Sequence, residues 1–159
     1  MYLTKETAQA LLAEARYLDT KNPKKHDMRV FVEPTPCGST SCALGDMAIS
    51  GALGLRVNIE GDLPVFGDEG YPDIGFNAAV VALKISSPFV LFLFDASGRV
   101  GVSRSLETPQ QTAARIRKFV YYFLHKQDIL SDYEGARRTG DIGVSDKVLE
   151  SVEKDLQLA

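Results

Sequence analysis

Apolar residues recur at helical spacing near the start of the chain, where Ala8, Leu11, Leu12, Ala15 and Leu18 share one face and polar residues hold the other. With Thr4 as N-cap, the pattern predicts an amphipathic helix from Thr4 to about Leu18. Asn22-Pro23 ends it, because proline lacks the N–H that a helix needs and biases the preceding residue toward extended backbone. Met28 to Val32 alternates and predicts a short strand, whose length Pro34 and Pro36 limit.

From Cys42 to about Leu53 the residues are apolar nearly all round, which predicts a helix buried in the middle of a domain. Gly45 and Gly51 allow close packing there, Ser39, Thr40 or Ser41 stands ready as cap, and Gly54 follows as C-cap. Val57 to Phe66 is irregular, with room for a small hairpin. Gly67 to Asp73 is an acidic surface loop without the alternating spacing of a calcium-binding EF-hand. Ile74 to Lys84 predicts a short helix. Ser86 or Ser87 with Pro88 opens another through Asp95, although Phe89 to Phe94 suits a buried strand equally well. Gly98 to Ser105 suits a short strand or hairpin arm.

The clearest helix runs from Pro109 to about Lys126. Thr108 and Gln111 form a capping box, and Ala113, Ile116, Phe119, Val120 and Phe123 form the buried stripe. Arg115, Lys118 and Tyr122 fall on another face, expected to be wet, with contact to an anionic partner as the lesser alternative. Ile129 to Gly143 has no sustained period and suits a surface connection. Ser145 then caps a last helix with Val148, Leu149, Val152 and Leu156 in one stripe. The expected architecture is α+β and mostly helical: one domain over residues 1–159, with about five to six helices and short extended segments or a small hairpin. Residues 128–159 form a connection plus a C-terminal helix free to act as an interaction element.

A length of 159 residues suits one domain, and 45% hydrophobic with 25% charged residues is ordinary for a soluble globular chain. The net charge of −3 argues against a protein that grips nucleic acid by neutralising many phosphates. The one basic cluster, Lys21, Lys24, Lys25, His26 and Arg29, is expected to be a solvated loop. Met1 to Glu6 lacks the basic and apolar regions of a secretion signal, and the longest apolar run, Phe89 to Phe94, is far too short to cross a bilayer. Both observations favour the cytoplasm, where two cysteines are expected as free thiols.

Candidate chemistry centres on Cys37 and Cys42, five positions apart where a loop meets a helix start. Helix N-termini favour thiolates, so Cys37, with His26 or His125 as base, is the candidate nucleophile. Cys37, Cys42, His26 and His125 together form a possible Cys2His2 zinc set, and they are the only cysteines and histidines present. A redox pair between Cys37 and Cys42 is a third reading, and a purely structural junction, with Cys42 packing as a small hydrophobe, is the fourth and preferred one. There is no P-loop, dinucleotide fingerprint, H-E-x-x-H or G-x-S-x-G.

Asp27-Met28, Cys37-Gly38-Ser39-Thr40-Ser41-Cys42, and Thr108-Pro109 leading to Ala114-Arg115-Ile116-Arg117 resemble landmarks of a group of small, uncharacterised bacterial and phage proteins with a Cys-Gly-Thr-x-x-Cys-x-Ala-Gly run. Ser39 replaces the threonine, and Ala43-Leu44-Gly45 replaces x-Ala-Gly. The resemblance implies a helical domain in a bacterial or phage cytoplasm and carries no activity. The expected function is a non-enzymatic binding or regulatory protein acting through a protein partner or a second copy of itself, with no cofactor. The alternative is a cysteine-dependent enzyme or zinc protein at Cys37, Cys42 and His26.

Overall fold

A computed structural model of the chain describes residues 3–36, 38–96 and 106–125. The first helix, α1 (Lys5–Thr20), begins as its sequence requires: the Thr4 hydroxyl accepts from the Thr7 N–H at 3.1 Å. Lys21 is already extended, and Asn22 caps a single turn of 3-10 helix over Pro23–Lys25. The strand expected from Met28 starts only at Val32. It forms β1 (Val32–Thr35), which pairs antiparallel with β2 (Gly38–Ser41) in the register Val32 to Ser41 and Pro34 to Ser39. A two-stranded hairpin leaves half of its backbone groups facing outward, so a proline is tolerated where a central strand would reject it.

The segment expected to be a loop ahead of the buried helix is therefore β2, and α2 (Ala43–Ser50) follows it directly. Its cap is Cys42 rather than Ser39, Thr40 or Ser41, with Sγ accepting from the Gly45 N–H at 3.4 Å. The helix also ends early, at Gly51, whose φ of 74° is the left-handed conformation that favours glycine, and a 3-10 turn over Ala52–Gly54 follows. Gly45 has a different role. A Cβ at that position would lie 1.8 Å from the Phe31 carbonyl oxygen, so the backbones of α2 and the segment entering β1 pack with no room for a side chain.

Three short strands, β3 (Arg56–Val57), β4 (Pro64–Phe66) and β5 (Asp73–Ile74), form an antiparallel sheet in the order β3-β4-β5. The acidic loop between β4 and β5 is exposed, as its composition requires. Next come α3 (Phe76–Leu83) and α4 (Ser87–Phe94), the latter settling Phe89 to Phe94 as helix. Phe89, Val90, Phe92, Leu93 and Phe94 are all buried, and α4 packs on both α3 and α5, so a helix apolar on every side is enclosed.

The capping box opens α5 (Pro109–His125) as read from sequence: Gln111 N–H donates to the Thr108 hydroxyl at 3.2 Å, and Thr108 N–H to Gln111 Oε1 at 2.9 Å. Its stripe of Ala113, Ile116, Phe119 and Val120 is buried, and α5 makes its broadest contact with α1. Phe89, Phe119 and Phe123 meet edge-to-face, with centroids 5.1 Å and 4.7 Å apart for the two Phe123 pairs. The fold is thus α+β and mostly helical, with five helices, a hairpin and a small sheet among the described residues. Among them no single helix is long and apolar enough to cross a membrane; α3 and α4 reach that composition only together, bent by 116°. Gly98 to Ser105 and the C-terminal connection and helix lie outside the described residues.

Candidate functional site

Polar side chains buried between α1 and α2 form the principal candidate site. Thr7, Leu11, Glu14 and Leu18 follow one another at spacings of four and three, so α1 carries Glu14 inward on the same stripe as its leucines, and Lys21, just past the end of the helix, is buried as well. Asp46 comes from the first turn of α2, and Ser41 from the end of β2. Lys21 Nζ donates to Asp46 Oδ2 at 2.6 Å and to the Ser41 carbonyl at 2.8 Å, and it faces the Ser41 hydroxyl at 3.2 Å. The Ser41 hydroxyl in turn donates to Asp46 Oδ1.

Glu14 completes this cluster from the other side. Its carboxyl interacts with that of Asp46, and Oε1 is buried without a hydrogen-bond partner. Burial pushes both carboxyls upward. At Asp46 the Lys21 ammonium and the Ser41 hydroxyl pull back down, whereas at Glu14 the negative Asp46 adds to the upward push. Glu14 is therefore pushed far above the ordinary carboxylate range and keeps its proton at neutral pH. Two carboxyls thus face one ammonium. The Tyr17 phenol is raised as well, first by partial burial and then by the fields of Asp46 and Glu14.

A second chain of hydrogen bonds leads from Lys21 across the molecule. Its ammonium lies 3.4 Å from His26 Nδ1, which must accept, so the ring carries its hydrogen on Nε2 and donates to Thr112 Oγ1 at 3.1 Å. Thr112 donates to Glu107 Oε1 at 2.6 Å, and Arg115 grips Glu107 Oε2 while reaching the Leu93 carbonyl at 2.9 Å. Burial, followed by the nearby Lys21 charge, pushes His26 down to about 4, so it is neutral at physiological pH. The relay joins the start of the hairpin to α5 and α4 through polar groups alone.

Several expectations change with this geometry. The basic cluster is not one solvated loop: Lys24 and Arg29 are exposed, Lys25 is half-buried, and Lys21 and His26 are buried. Arg115, expected on a wet face, is 5% exposed and paired with Glu107. Cys42 is 1% exposed, and burial pushes its thiol up to about 12 despite its place at a helix start. Both ring nitrogens of His26 are engaged by Lys21 and Thr112. Cys37 lies outside the described residues, and of His125 only the backbone is described. Among the described residues no three His, Cys, Asp or Glu side chains converge as a metal-binding group.

Outside the cluster a cleft of about 680 Å³ opens between α1 and α2. Glu14, Lys21, Ser41 and Asp46 line it, together with Ala10, Ala13, Met47 and Ala52. Tyr17 and Ile49, each 52% exposed, also belong to its walls, and Lys25 and Ser39 contribute from the neighbouring turn and hairpin. Sequence reasoning misses Glu14, Tyr17, Ser41 and Asp46 as site residues. The readable signal is Glu14 on the apolar stripe of α1, Lys21 three positions beyond Leu18, and Asp46 within an otherwise apolar helix.

No family model, no curated protein and no solved structure matches this chain.

Proposed function

We propose that this chain is a small non-enzymatic binding or regulatory protein that acts through a protein partner, in a bacterial or phage cytoplasm, the setting implied by the resemblance of its Cys37 to Cys42 run to small bacterial and phage proteins. The cleft between α1 and α2 is its binding element. One observation carries the reading: the cleft combines half-exposed apolar side chains, Tyr17 and Ile49, with a polar floor at Glu14 and Asp46. A concave site of this size, mostly apolar with a few convergent polar groups, suits recognition of a protruding side chain. Large apolar and aromatic residues that stay exposed beside such a cleft are the composition of an interface core.

The test pairs the wild-type chain with a Tyr17→Glu/Ile49→Glu variant. Both positions are half-exposed, so the variant retains its fold and melting temperature. Affinity capture from bacterial lysate, with sedimentation velocity to detect self-association, is expected to show a partner or dimer retained by the wild type and lost by the variant. Equal capture by both chains, or a strict monomer with no partner, overturns the reading.

A further inference from the structure

We infer that the cleft between α1 and α2 receives the Tyr71 ring of a second copy of this chain, with the acids around Tyr71 set against Lys25 at the edge of the cleft and its neighbour Lys24. The inference rests on the cleft being the binding element and names its occupant. It starts from an aromatic ring that the fold leaves in water. Tyr71 is 97% exposed in the loop between β4 and β5, and Asp68, Glu69 and Asp73 around it are exposed as well. A Cβ placed on Gly67 or on Gly70 would meet nothing within 4 Å, so at both points the loop stands clear of the other described residues. A lone exposed aromatic is ordinary on a protein surface. Here it projects between acids, on a molecule that also carries an open apolar cleft edged by a lysine.

The cleft complements that loop in size and in charge. Its volume of about 680 Å³ admits a tyrosine ring, and Ala10, Ala13, Met47 and Ala52 give it apolar walls beside the half-exposed Tyr17 and Ile49. Of the charged residues that line it, Glu14, Lys21 and Asp46 are each 6% exposed, and Lys21 and Asp46 are paired with each other. Lys25 is only half-buried, and its Nζ lies 3.2 Å from where a Cβ on Gly38 would stand, so the edge beside the hairpin is positive. Lys24, in the same 3-10 turn, is exposed. Asp19 and Asp27, the acids that flank this turn in sequence, are bound to Arg117 and Arg29. An aromatic anchor in a pocket gives an interface most of its affinity, and opposite charges at the rim set its orientation. Loop and cleft are different surfaces, so the contact is heterologous: two copies exchange both loops and close as a pair, or they add head to tail.

Sedimentation equilibrium of the full chain, at concentrations up to about 1 mM, is expected to show self-association of the wild type. Tyr71→Ser, at a nearly fully exposed position, is expected to keep the melting temperature and to weaken association by at least about tenfold. A mixing experiment separates this contact from any other. Tyr71→Ser retains an intact cleft and Tyr17→Glu/Ile49→Glu retains an intact loop, so each alone is expected to be monomeric and their equimolar mixture to form a dimer. Lys24→Glu/Lys25→Glu is expected to weaken association by at least about tenfold, and adding Asp68→Lys/Glu69→Lys to the same chain to restore it, with melting temperatures as the control for folding. Undiminished association of Tyr71→Ser, a mixture that stays monomeric, or no recovery in the charge-swapped chain overturns the inference. A wild type that is monomeric at about 1 mM overturns it too, and if that monomer still captures a lysate partner through Tyr17 and Ile49, the cleft remains the binding element with a different occupant.

Discussion

Lys21 Nζ stands 2.6 Å from Asp46 Oδ2, and the two side chains are 3% and 5% exposed. The pair fastens the end of α1 to the first turn of α2 across 25 residues of chain. Buried ion pairs contribute little net stability relative to apolar residues of the same shape, yet removing one partner strands the other charge. Lys21→Met is therefore expected to cost about 3–5 kcal/mol in urea unfolding at neutral pH. Adding Asp46→Leu to Lys21→Met is expected to recover most of that loss. Additive losses in the double variant would show that the two charges are not coupled.

The protonated Glu14 and the neutral His26 set opposite pH slopes. Folded Glu14 holds a proton that the unfolded chain gives up above about pH 4.3, so its contribution to stability falls as pH rises toward its raised folded value, by up to about 1.4 kcal/mol per unit. Folded His26, pushed down to about 4, lacks a proton that the unfolded chain binds below about pH 6.5, so its contribution is lost as pH falls through that range. The two slopes oppose each other between about pH 4.5 and 6.5, and Glu14 alone acts above it. Glu14→Gln is expected to stabilise the free protein by about 2 kcal/mol near pH 8 and to abolish the decline above pH 6.5, as read by denaturant midpoints across pH. A wild-type profile that keeps rising from pH 6.5 to 8.5 would be incompatible with a protonated Glu14.

Gly45 is required by contact rather than by dihedral angle. A Cβ there would stand 1.8 Å from the Phe31 carbonyl oxygen and 2.7 Å from its carbon, and both neighbours are backbone that does not yield by rotation. Gly45→Ala is expected to cost at least about 3 kcal/mol or to prevent folding, whereas Ala48→Gly in the same helix costs only about 1 kcal/mol in propensity plus the lost methyl burial. Thermal melts of the two variants decide; similar melting temperatures would mean that α2 shifts freely away from Phe31.

Cys42 is buried, protonated and used as a helix cap through its sulfur. In a Cys37→Ser background, the remaining thiol is expected to resist a disulfide reagent at pH 8 and to react fully in denaturant. Rapid reaction of the native variant would show an exposed thiolate at this position.

Where the information is local, the pattern of residues is sufficient. Thr4, Asn22 and the Thr108/Gln111 box act within three residues of themselves, and the stripes of α1 and α5 follow from spacing alone. Phe89 to Phe94 is undecidable from sequence because an apolar run without period suits either a strand or a helix, and enclosure by α3 and α5 supplies the answer. Pro34 reads as a limit on β1 because sequence does not show how many strands a sheet will have.

The candidate site divides in the same way. His26 stands out in the sequence for its chemistry, but its partners Lys21 and Thr112 lie 5 and 86 positions away, and neither Thr112 nor Asp46 carries a motif. Lys21 and Arg115 read as wet surface because a charged side chain is buried only when distant partners meet it. By itself, then, the sequence determined most of the helices, the caps at Thr4 and Thr108 and most of the apolar core, since periodicity and capping are short-range effects. Only the tertiary structure decided which charges are buried, which acid keeps the proton and where the cleft opens, because those depend on opposite charges brought together from separate elements and on the solvent that packing excludes.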